Sequence, residues 1–215
     1  MIITYHGVQC FKVSFGDTVI AFDPISKDAK EKSSRFGADI ALVSVNDPRT
    51  NGTDQVVSSG KEPFVITGPG EYEIKEIFIT GVPSVTKFGS EGEEKINTIY
   101  NVTLEGMNIV FLGALSSTEL ESKTIETVTD GDIDILFVPV GESEVLGPKD
   151  AYKMAVKLGP KIIIPMYDRE GGKESLKTFL KEGGAESVKP VDKLTLKRKD
   201  IEGKDGDIVV LSPQS

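Results

Sequence analysis

Apolar residues in the first half of the chain fall in short runs separated by Gly, Pro and Asp, a pattern typical of strands joined by tight turns. The first three runs predict a meander of hairpins. Residues 38–45 form a nearly continuous apolar stretch, which indicates a strand buried on both faces. Beyond it, Gly68-Pro69-Gly70 separates two further runs that we expect to pair as another hairpin. The strands predicted in this half are 2–5, 10–15, 18–22, 38–45, 63–67 and 72–80.

The second half begins with two strands, 98–104 and 108–112, and then changes to an alternation of helices and strands. Ser117 fits the cap of a helix that runs to about Val128, and Pro148 is typical of a first helical turn. Hairpins followed by helix–strand units favour an α/β fold in which sheets are covered by helices. Because no linker-like stretch interrupts the pattern, we expect one domain over residues 1–215. The remaining predictions are helices at 148–158 and 172–181 and strands at 133–138, 161–165, 194–197 and 207–211.

Composition limits the classes of partner and of chemistry. The chain has 25 Lys and Arg against 34 Asp and Glu, and its net charge of -9 disfavours nucleic acid and membranes as partners. A lone cysteine, Cys10, excludes an internal disulfide, and no leader-like pattern opens the chain, so we expect a cytoplasmic protein. The one histidine is His6. Since most zinc sites use histidine, a metal site here would need carboxylates instead.

A series of short motifs runs along nearly the whole chain: Thr-Tyr-His-Gly-Val-Gln-Cys-Phe at 4–11, Phe-Asp-Pro at 22–24, Ala-Asp-Ile-Ala-Leu-Val-Ser at 38–44, Gly-Pro-Gly-Glu-Tyr at 68–72, Phe-Leu-Gly at 111–113, Asp-Ile-Leu-Phe-Val-Pro-Val-Gly at 134–141 and Lys-Ile-Ile-Ile-Pro-Met at 161–166. In this order they resemble the metallo-β-lactamase-fold hydrolases, in particular the short single-domain branch similar to the ascorbate-6-phosphate lactonases. The resemblance implies a four-layer αββα sandwich, in which two facing mixed sheets carry helices on their outer faces. It also implies a metal-dependent hydrolytic site along one edge of the sheets.

The family's ligands, a His-x-His-x-Asp-His run and three later residues, hold one or two zinc-type ions that acidify a bound water. Of the seven aligned positions only one, Asp47, keeps a side chain that commonly binds metal. Arg49 brings a fixed positive charge that repels a dication. We therefore expect a degenerate member with no metal and no cofactor. Aligned through their flanking residues, the seven positions hold Val45, Asp47, Arg49, Thr50, Thr86, Ala114 and Tyr167.

Function is expected at the rim of this former metal site, because hydroxyls and a guanidinium would converge there. Such a set suits a carboxylate or a phosphate. The alternative is that Arg49 forms an ion pair with Asp47 or Asp168 and simply plugs a vacated pocket. The candidate ligand-binding residues are Asp47, Arg49, Thr50, Thr86, Tyr167 and Asp168, with Arg169 as a further candidate.

Several other conspicuous residues have structural explanations. Asp23, in an Asp-Pro pair, is expected to cap nearby backbone N–H groups. Cys10 fits a small core residue. Glu142 and Glu144 follow a strand end that could face a site, but we expect them in a solvated loop.

Three functions stay open. We favour a metal-free binding or interaction module, not an enzyme, that takes a small anionic ligand or a protein partner. The second is a hydrolase of phosphoester or lactone-like substrates, in which Asp47, Asp23 or Asp168 serves as a base or as a ligand for Mg²⁺ or Mn²⁺. The third is a structural subunit of a homo- or hetero-oligomer.

Overall fold

A computed structural model describes residues 1–58, 60–89, 93–168 and 171–214. Its α-helices are α1 (Ser122–Val128), α2 (Pro148–Leu158) and α3 (Lys173–Glu182), and single 3-10 turns lie at Thr53–Val56 and Arg198–Ile201. Its strands are β1 (Ile2–Gly7), β2 (Cys10–Phe15), β3 (Thr18–Phe22), β4 (Ile40–Leu42), β5 (Phe64–Ile66), β6 (Gly70–Ile74), β7 (Ile77–Thr86), β8 (Lys95–Leu104), β9 (Met107–Phe111), β10 (Ile135–Pro139), β11 (Ile162–Met166), β12 (Leu194–Thr195) and β13 (Asp207–Ile208).

The strands form two mixed sheets. Among the described residues, one has six strands in the order β12-β1-β2-β3-β4-β5, and the other has seven in the order β13-β11-β10-β9-β8-β7-β6. The hairpins of each sheet are antiparallel, whereas β3, β4 and β5 run parallel, as do β9, β10, β11 and β13. Each sheet therefore brings the carboxyl ends of several strands to one edge.

Aromatic side chains join the two sheets face to face. Phe11 of β2 and Phe22 of β3 lie 4.6 and 5.9 Å from the ring of Phe137 in β10. Phe22 also lies 4.9 Å from Phe111 in β9, and all four rings are fully buried. Tilted pairs of this kind add ~0.5–1.5 kcal/mol each beyond the area they bury. This aromatic layer sets the distance between the sheets and hence the spacing of the loops at their edge.

The helices pack against the seven-stranded sheet, α1 on β7 and β8, α2 on β10, and α3 on α2. The outer face of the six-stranded sheet is covered more thinly, by residues 36–38 and the turn Thr53–Val56. The predicted layered sandwich of the metallo-β-lactamase type is thus confirmed.

None of the described helices has the length and apolar character needed to cross a bilayer. Helix α2, predicted at 148–158, is amphipathic and buries Ala151, Met154, Ala155 and Leu158.

The hairpin predicted across Gly68-Pro69-Gly70 is wrong. β5 pairs in parallel with β4 in one sheet, whereas β6 pairs antiparallel with β7 in the other. The Gly-Pro-Gly corner therefore carries the chain between sheets, and Tyr72 donates a hydrogen bond to the Gly68 carbonyl at 3.2 Å across it. Turn-forming residues show where the chain bends, but not which sheet it joins next.

Several element boundaries also differ from expectation; the strand predicted at 38–45, for example, is only Ile40–Leu42. The strand predicted at 72–80 is split by a turn at Lys75-Glu76. Helix α1 begins at Ser122, later than the predicted cap at Ser117 would place it. Ser117 Oγ accepts a hydrogen bond from the Glu119 amide at 3.1 Å. This local turn competes with helix formation, which explains the later start.

The Lys75-Glu76 turn generates the first prediction, because both residues have positive φ, 53° and 63°. A left-handed backbone costs a non-glycine residue ~1–2 kcal/mol, partly offset by the freedom that glycine gains in the unfolded chain. We expect Glu76→Gly to raise the free energy of unfolding by about 1 kcal/mol in chemical denaturation. The reverse control is Gly106→Ala in the β8–β9 turn, at φ 67°, which should destabilise. A lower stability of Glu76→Gly would contradict the left-handed turn.

Candidate functional site

The candidate residues lie in loops at the carboxyl ends of strands from both sheets. Since the aromatic layer holds the sheets together, these loops meet at one edge of the sandwich. Loops after β4, β7, β9, β10 and β11 contribute. The described candidates are Asp47, Arg49 and Thr50 after β4, Thr86 at the end of β7, and Tyr167 and Asp168 after β11.

Arg49 is the centre of this edge. Its Nε lies 3.0 Å from Asp47 Oδ1, and its Nη1 lies 2.7 Å from Glu144 Oε2. Asp47 Oδ1 also accepts the backbone N–H of Arg49 at 3.0 Å. We call Asp47, Arg49 and Glu144 the ion triad. It links the loop after β4 to the loop after β10, between residues 95 positions apart.

The charges of the triad stabilise one another. Burial acts to raise the pKa of Asp47, but the hydrogen bonds and charge of Arg49 outweigh it and hold that pKa below its usual value. Burial likewise acts to lower the pKa of Arg49, and the carboxylates of Glu144 and Asp47 outweigh it and raise that pKa. Asp47 is only 7% exposed. Without Arg49, this carboxylate would lose the hydrogen bonds and the charge that hold its pKa down.

An apolar cluster surrounds the triad. The guanidinium carbon of Arg49 lies 3.8 Å from the centroid of the Phe88 ring, a cation–π contact. Phe88 packs with Val45 and Ala114. Phe88 is 4% exposed, Val45 2% and Ala114 0%. Two of the positions aligned with metal ligands are therefore aliphatic and buried. Gly89, at φ 63°, lies so close that a Cβ there would overlap the Asp47 carboxylate, so glycine lets this loop approach.

Thr50 and Thr86 are fully buried and hold the loops in place. Thr50 Oγ1 donates to the Val45 carbonyl at 2.6 Å, and Thr86 Oγ1 donates to the Ala114 carbonyl. Thr86 Oγ1 also accepts the backbone N–H of Phe88 at 3.0 Å. Both hydroxyls therefore give their hydrogen to the backbone in this structure, and their contact with a ligand stays a prediction.

Tyr167 lies at the rim but is 7% exposed, and its hydroxyl donates to the Leu211 carbonyl at 2.9 Å. Its backbone is fastened to the Tyr5 hydroxyl, which accepts the Tyr167 N–H at 3.1 Å. Asp168 lines the cleft described below. Arg169 lies outside the described residues.

Asp23 supports the loop after β4 from beneath. It is fully buried, and its two carboxyl oxygens each lie 2.6 Å from Ser44, one from the amide nitrogen and one from Oγ. The predicted capping of backbone N–H is confirmed. Burial raises the pKa of Asp23 to about 8, although the hydrogen bonds with Ser44 act to lower it. A fully buried carboxyl cannot contact a substrate in this structure, which disfavours Asp23 as the base that one hypothesis considered.

A cleft of about 240 Å³ opens beside the triad, between the β1–β2 turn and the loops after β10 and β11. Gln9 lines it, is only 3% exposed, and its Oε1 accepts no hydrogen bond from the described residues. A second cavity of about 490 Å³ adjoins it and shares Val8, Glu31 and Asp168. The remaining walls of the first cleft include Phe88, Val140, Met166, Glu142 and Arg49.

Sequence reasoning missed three residues of this site. Glu144, expected in a solvated loop, is instead the second partner of Arg49, and Asp168 is not a partner seen in the triad. Phe88 and Gln9 were not singled out at all. Phe88 and Glu144 lie in loops far along the chain from Arg49, and Gln9 lies inside the motif at 4–11. No local sequence pattern therefore indicates that these residues meet at one site.

The residues at the aligned positions do not fit a divalent metal. Val45 and Ala114 offer no donor atom, and Arg49 directs its guanidinium at the one carboxylate that remains. In the described part of the chain, no three His, Cys, Asp or Glu side chains are grouped so as to hold a metal ion. Two like charges ~4 Å apart repel by ~4 kcal/mol at an effective dielectric constant near 20, and a dication doubles this.

Comparisons with known proteins agree with the fold. A family model described as the β-lactamase superfamily domain matches residues 2–167. A Thermotoga maritima structure assigned to the zinc-dependent hydrolases of the metallo-β-lactamase superfamily is 29% identical, with a TM-score of 0.76 over 98% of this chain and 97% of that one. A Parabacteroides distasonis structure assigned as a metal-dependent hydrolase is 19% identical, with a TM-score of 0.64 over 99% and 93%. A metallo hydrolase from Ignicoccus hospitalis is 15% identical, with a TM-score of 0.62 over 91% and 99%. No curated protein matches the chain.

The fold is a two-sheet α/β sandwich of the metallo-β-lactamase class, and the ion triad lies among the loops at one of its edges. The chain belongs to the β-lactamase superfamily, since the match covers most of its length. The resemblance read from its motifs is therefore confirmed for the family and the fold.

Asp23 generates a prediction on pH dependence. The carboxyl loses its proton near pH 4 in the unfolded chain but keeps it up to about pH 8 in the folded protein. The stability it contributes is therefore complete below pH 4 and is lost progressively as the pH rises to about 8. Asp23→Asn retains an acceptor and a donor for Ser44 and cannot ionise. We expect its melting temperature to exceed that of the native protein at pH 8 and the difference to shrink toward pH 4.

Two titratable neighbours of Asp23 should not confuse this experiment. Burial raises the pKa of Cys10 to about 12 and also raises that of Tyr100, so both stay neutral over the range tested. If the melting temperatures of the native protein and Asp23→Asn differed by the same amount at every pH, the raised pKa of Asp23 would be contradicted.

The triad generates a third prediction, on stability. Arg49→Met retains an apolar stem over Phe88 but leaves Asp47 without its counter-charge, and we expect a loss of ~1–3 kcal/mol in the free energy of unfolding. In an Asp47→Asn background the same change should cost less, with a coupling energy of ~1–2 kcal/mol. Lys153→Met, in a pair whose side chains are 73% and 54% exposed, is the matched control and should change stability by less than ~0.5 kcal/mol. An equal effect at both positions would rule out a stabilising triad.

Proposed function

We propose that this chain is a degenerate, metal-free member of the metallo-β-lactamase superfamily that acts as a binding or interaction module. The ion triad is the observation that carries this proposal. At the aligned ligand positions, Arg49 supplies the positive charge that balances Asp47, and Glu144 holds Arg49 from the opposite loop. The cation–π contact of Arg49 with Phe88 adds to the ion pairs that hold the guanidinium in this position.

Acid–base chemistry without metal has little support at this edge. A general base works best when its pKa lies near the working pH. The pKa of Asp47 is held below its usual value and its Oδ1 is occupied by Arg49. Asp23 is out of reach, as described above. The cleft beside the triad remains available, which favours binding over turnover.

A cytoplasmic setting belongs to the same proposal. Cys10 is a buried free thiol, as is usual for proteins of a reducing compartment.

We also propose that the module binds a protein partner or a second copy of the chain. Size-exclusion chromatography with light scattering separates a monomeric ligand-binding module from an oligomeric subunit.

The alternative is a hydrolase of the superfamily that acts on phosphoester or lactone-like substrates. What favours it is the 29% identity with the Thermotoga maritima protein assigned as a zinc-dependent hydrolase. Phosphoester and lactone substrates, assayed with and without Zn²⁺, Mn²⁺ or Mg²⁺, separate the two functions. Turnover that metal stimulates and that Asp47→Ala abolishes would establish the hydrolase.

Metal content tests the proposed function directly. We expect protein purified without chelator from zinc- and manganese-supplemented cells to contain less than ~0.1 equivalent of either metal by plasma mass spectrometry, because the aligned positions lack donor atoms. Asp47→Asn, which removes the one remaining ligand-type side chain, should give the same value. One equivalent in the native protein that Asp47→Asn loses would contradict the proposal.

A further inference from the structure

The charge of the 240 Å³ cleft does not match the anionic ligand that the sequence suggested. Among the described residues that line it, the carboxylates are Glu31, Glu142, Glu144 and Asp168, and the one cation is Arg49. Arg49 is already bound by Glu144 and by Asp47 behind it. An anion entering the cleft would meet more negative than positive charge, whereas a cation would be attracted.

Gln9 provides an independent indication of a ligand with hydrogen-bond donors. Its side chain lines the cleft, is only 3% exposed, and its Oε1 accepts no hydrogen bond from the described residues. A buried carbonyl oxygen without a donor is costly, so it favours a donor brought by a ligand or a water. A carboxylate has no hydrogen to offer at this position, whereas an ammonium has three.

The walls of the cleft indicate an apolar body attached to that donor. Val8, Phe88, Val140 and Met166 line it together with the polar residues. A cavity of ~150 Å³ holds benzene. The 240 Å³ cleft therefore accommodates a six-membered ring with a short chain and an amino group.

From this combination we propose that the cleft beside the ion triad binds a small primary ammonium compound with an apolar body. Gln9 Oε1 accepts a hydrogen bond from the ammonium, and Glu142 at the mouth adds attraction. This inference rests on the proposed function, in which the triad stays closed and metal-free, and it replaces the anion that the sequence suggested.

Three probes of nearly equal shape test the ligand class: 2-phenylethylammonium, 2-phenylethanol and phenylacetate. Isothermal titration calorimetry at neutral pH measures each dissociation constant. We expect the ammonium to bind about tenfold or more tightly than phenylacetate, with the alcohol between them, since the shared ring contributes equally to all three. Equal or tighter binding of phenylacetate, or no binding of the ammonium, would overturn the proposal.

Variants then test the named residues. Gln9→Met has nearly the same shape and lacks the unpartnered oxygen, so we expect its melting temperature to rise while its affinity for 2-phenylethylammonium falls about fivefold. A purely structural Gln9 would not give this opposite pair of changes. Glu142→Gln should also weaken the ammonium, and Glu186→Gln, an exposed carboxylate outside both cavities, should not. An unchanged affinity in Gln9→Met would overturn the role of Gln9.

The same titrations in EDTA separate this inference from the proposed function. Phenylacetate binding that EDTA abolishes would indicate a metal ion at the triad, and the proposed function itself would fail. Phenylacetate binding that persists in EDTA would leave the metal-free module intact and refute only the ammonium ligand.

Discussion

A guanidinium held between two carboxylates and stacked on a ring is the interaction on which the functional edge depends. Arg49 joins Asp47 on its own loop to Glu144 on a loop of the other sheet, and its face rests on Phe88 from a third loop. Loops at the end of a sandwich lie outside the strand ladders, so side-chain contacts between loops help to fix them. Because one cation serves several loops, its removal would affect them together.

The triad also supports the proposal that this member of the family works without a metal. In a metal-dependent member, a dication balances the carboxylates and draws the edge loops together. Here Arg49 supplies the balancing charge, and the places of further ligands are taken by Val45 and Ala114 in an apolar cluster. The replacement is self-consistent, since aliphatic residues would be useless to a metal and a guanidinium would repel it. Asp23, buried and bonded to Ser44, supports the same loop whether or not a metal is present.

The sequence predicted the family and the layered fold, because these depend on motifs that run along the chain. It offered Asp47 or Asp168 as the partner of Arg49, and Asp47, two positions away, is one partner. It did not indicate Glu144, which is 95 positions away. Nor could a turn motif indicate that β5 and β6 join different sheets. The expectation of an anion came from Arg49 together with the hydroxyl groups expected beside it. The carboxylates that surround it come from distant loops, and only the folded chain shows them together.

One measurement tests the central claim most directly: a crystal structure of the native protein grown with excess Zn²⁺, with anomalous scattering recorded at the zinc edge. The account predicts that the Arg49 guanidinium lies within hydrogen-bonding distance of Asp47 and Glu144, with no anomalous peak between them. A full-occupancy zinc ~2.0–2.2 Å from an Asp47 oxygen, with Arg49 displaced, would contradict it.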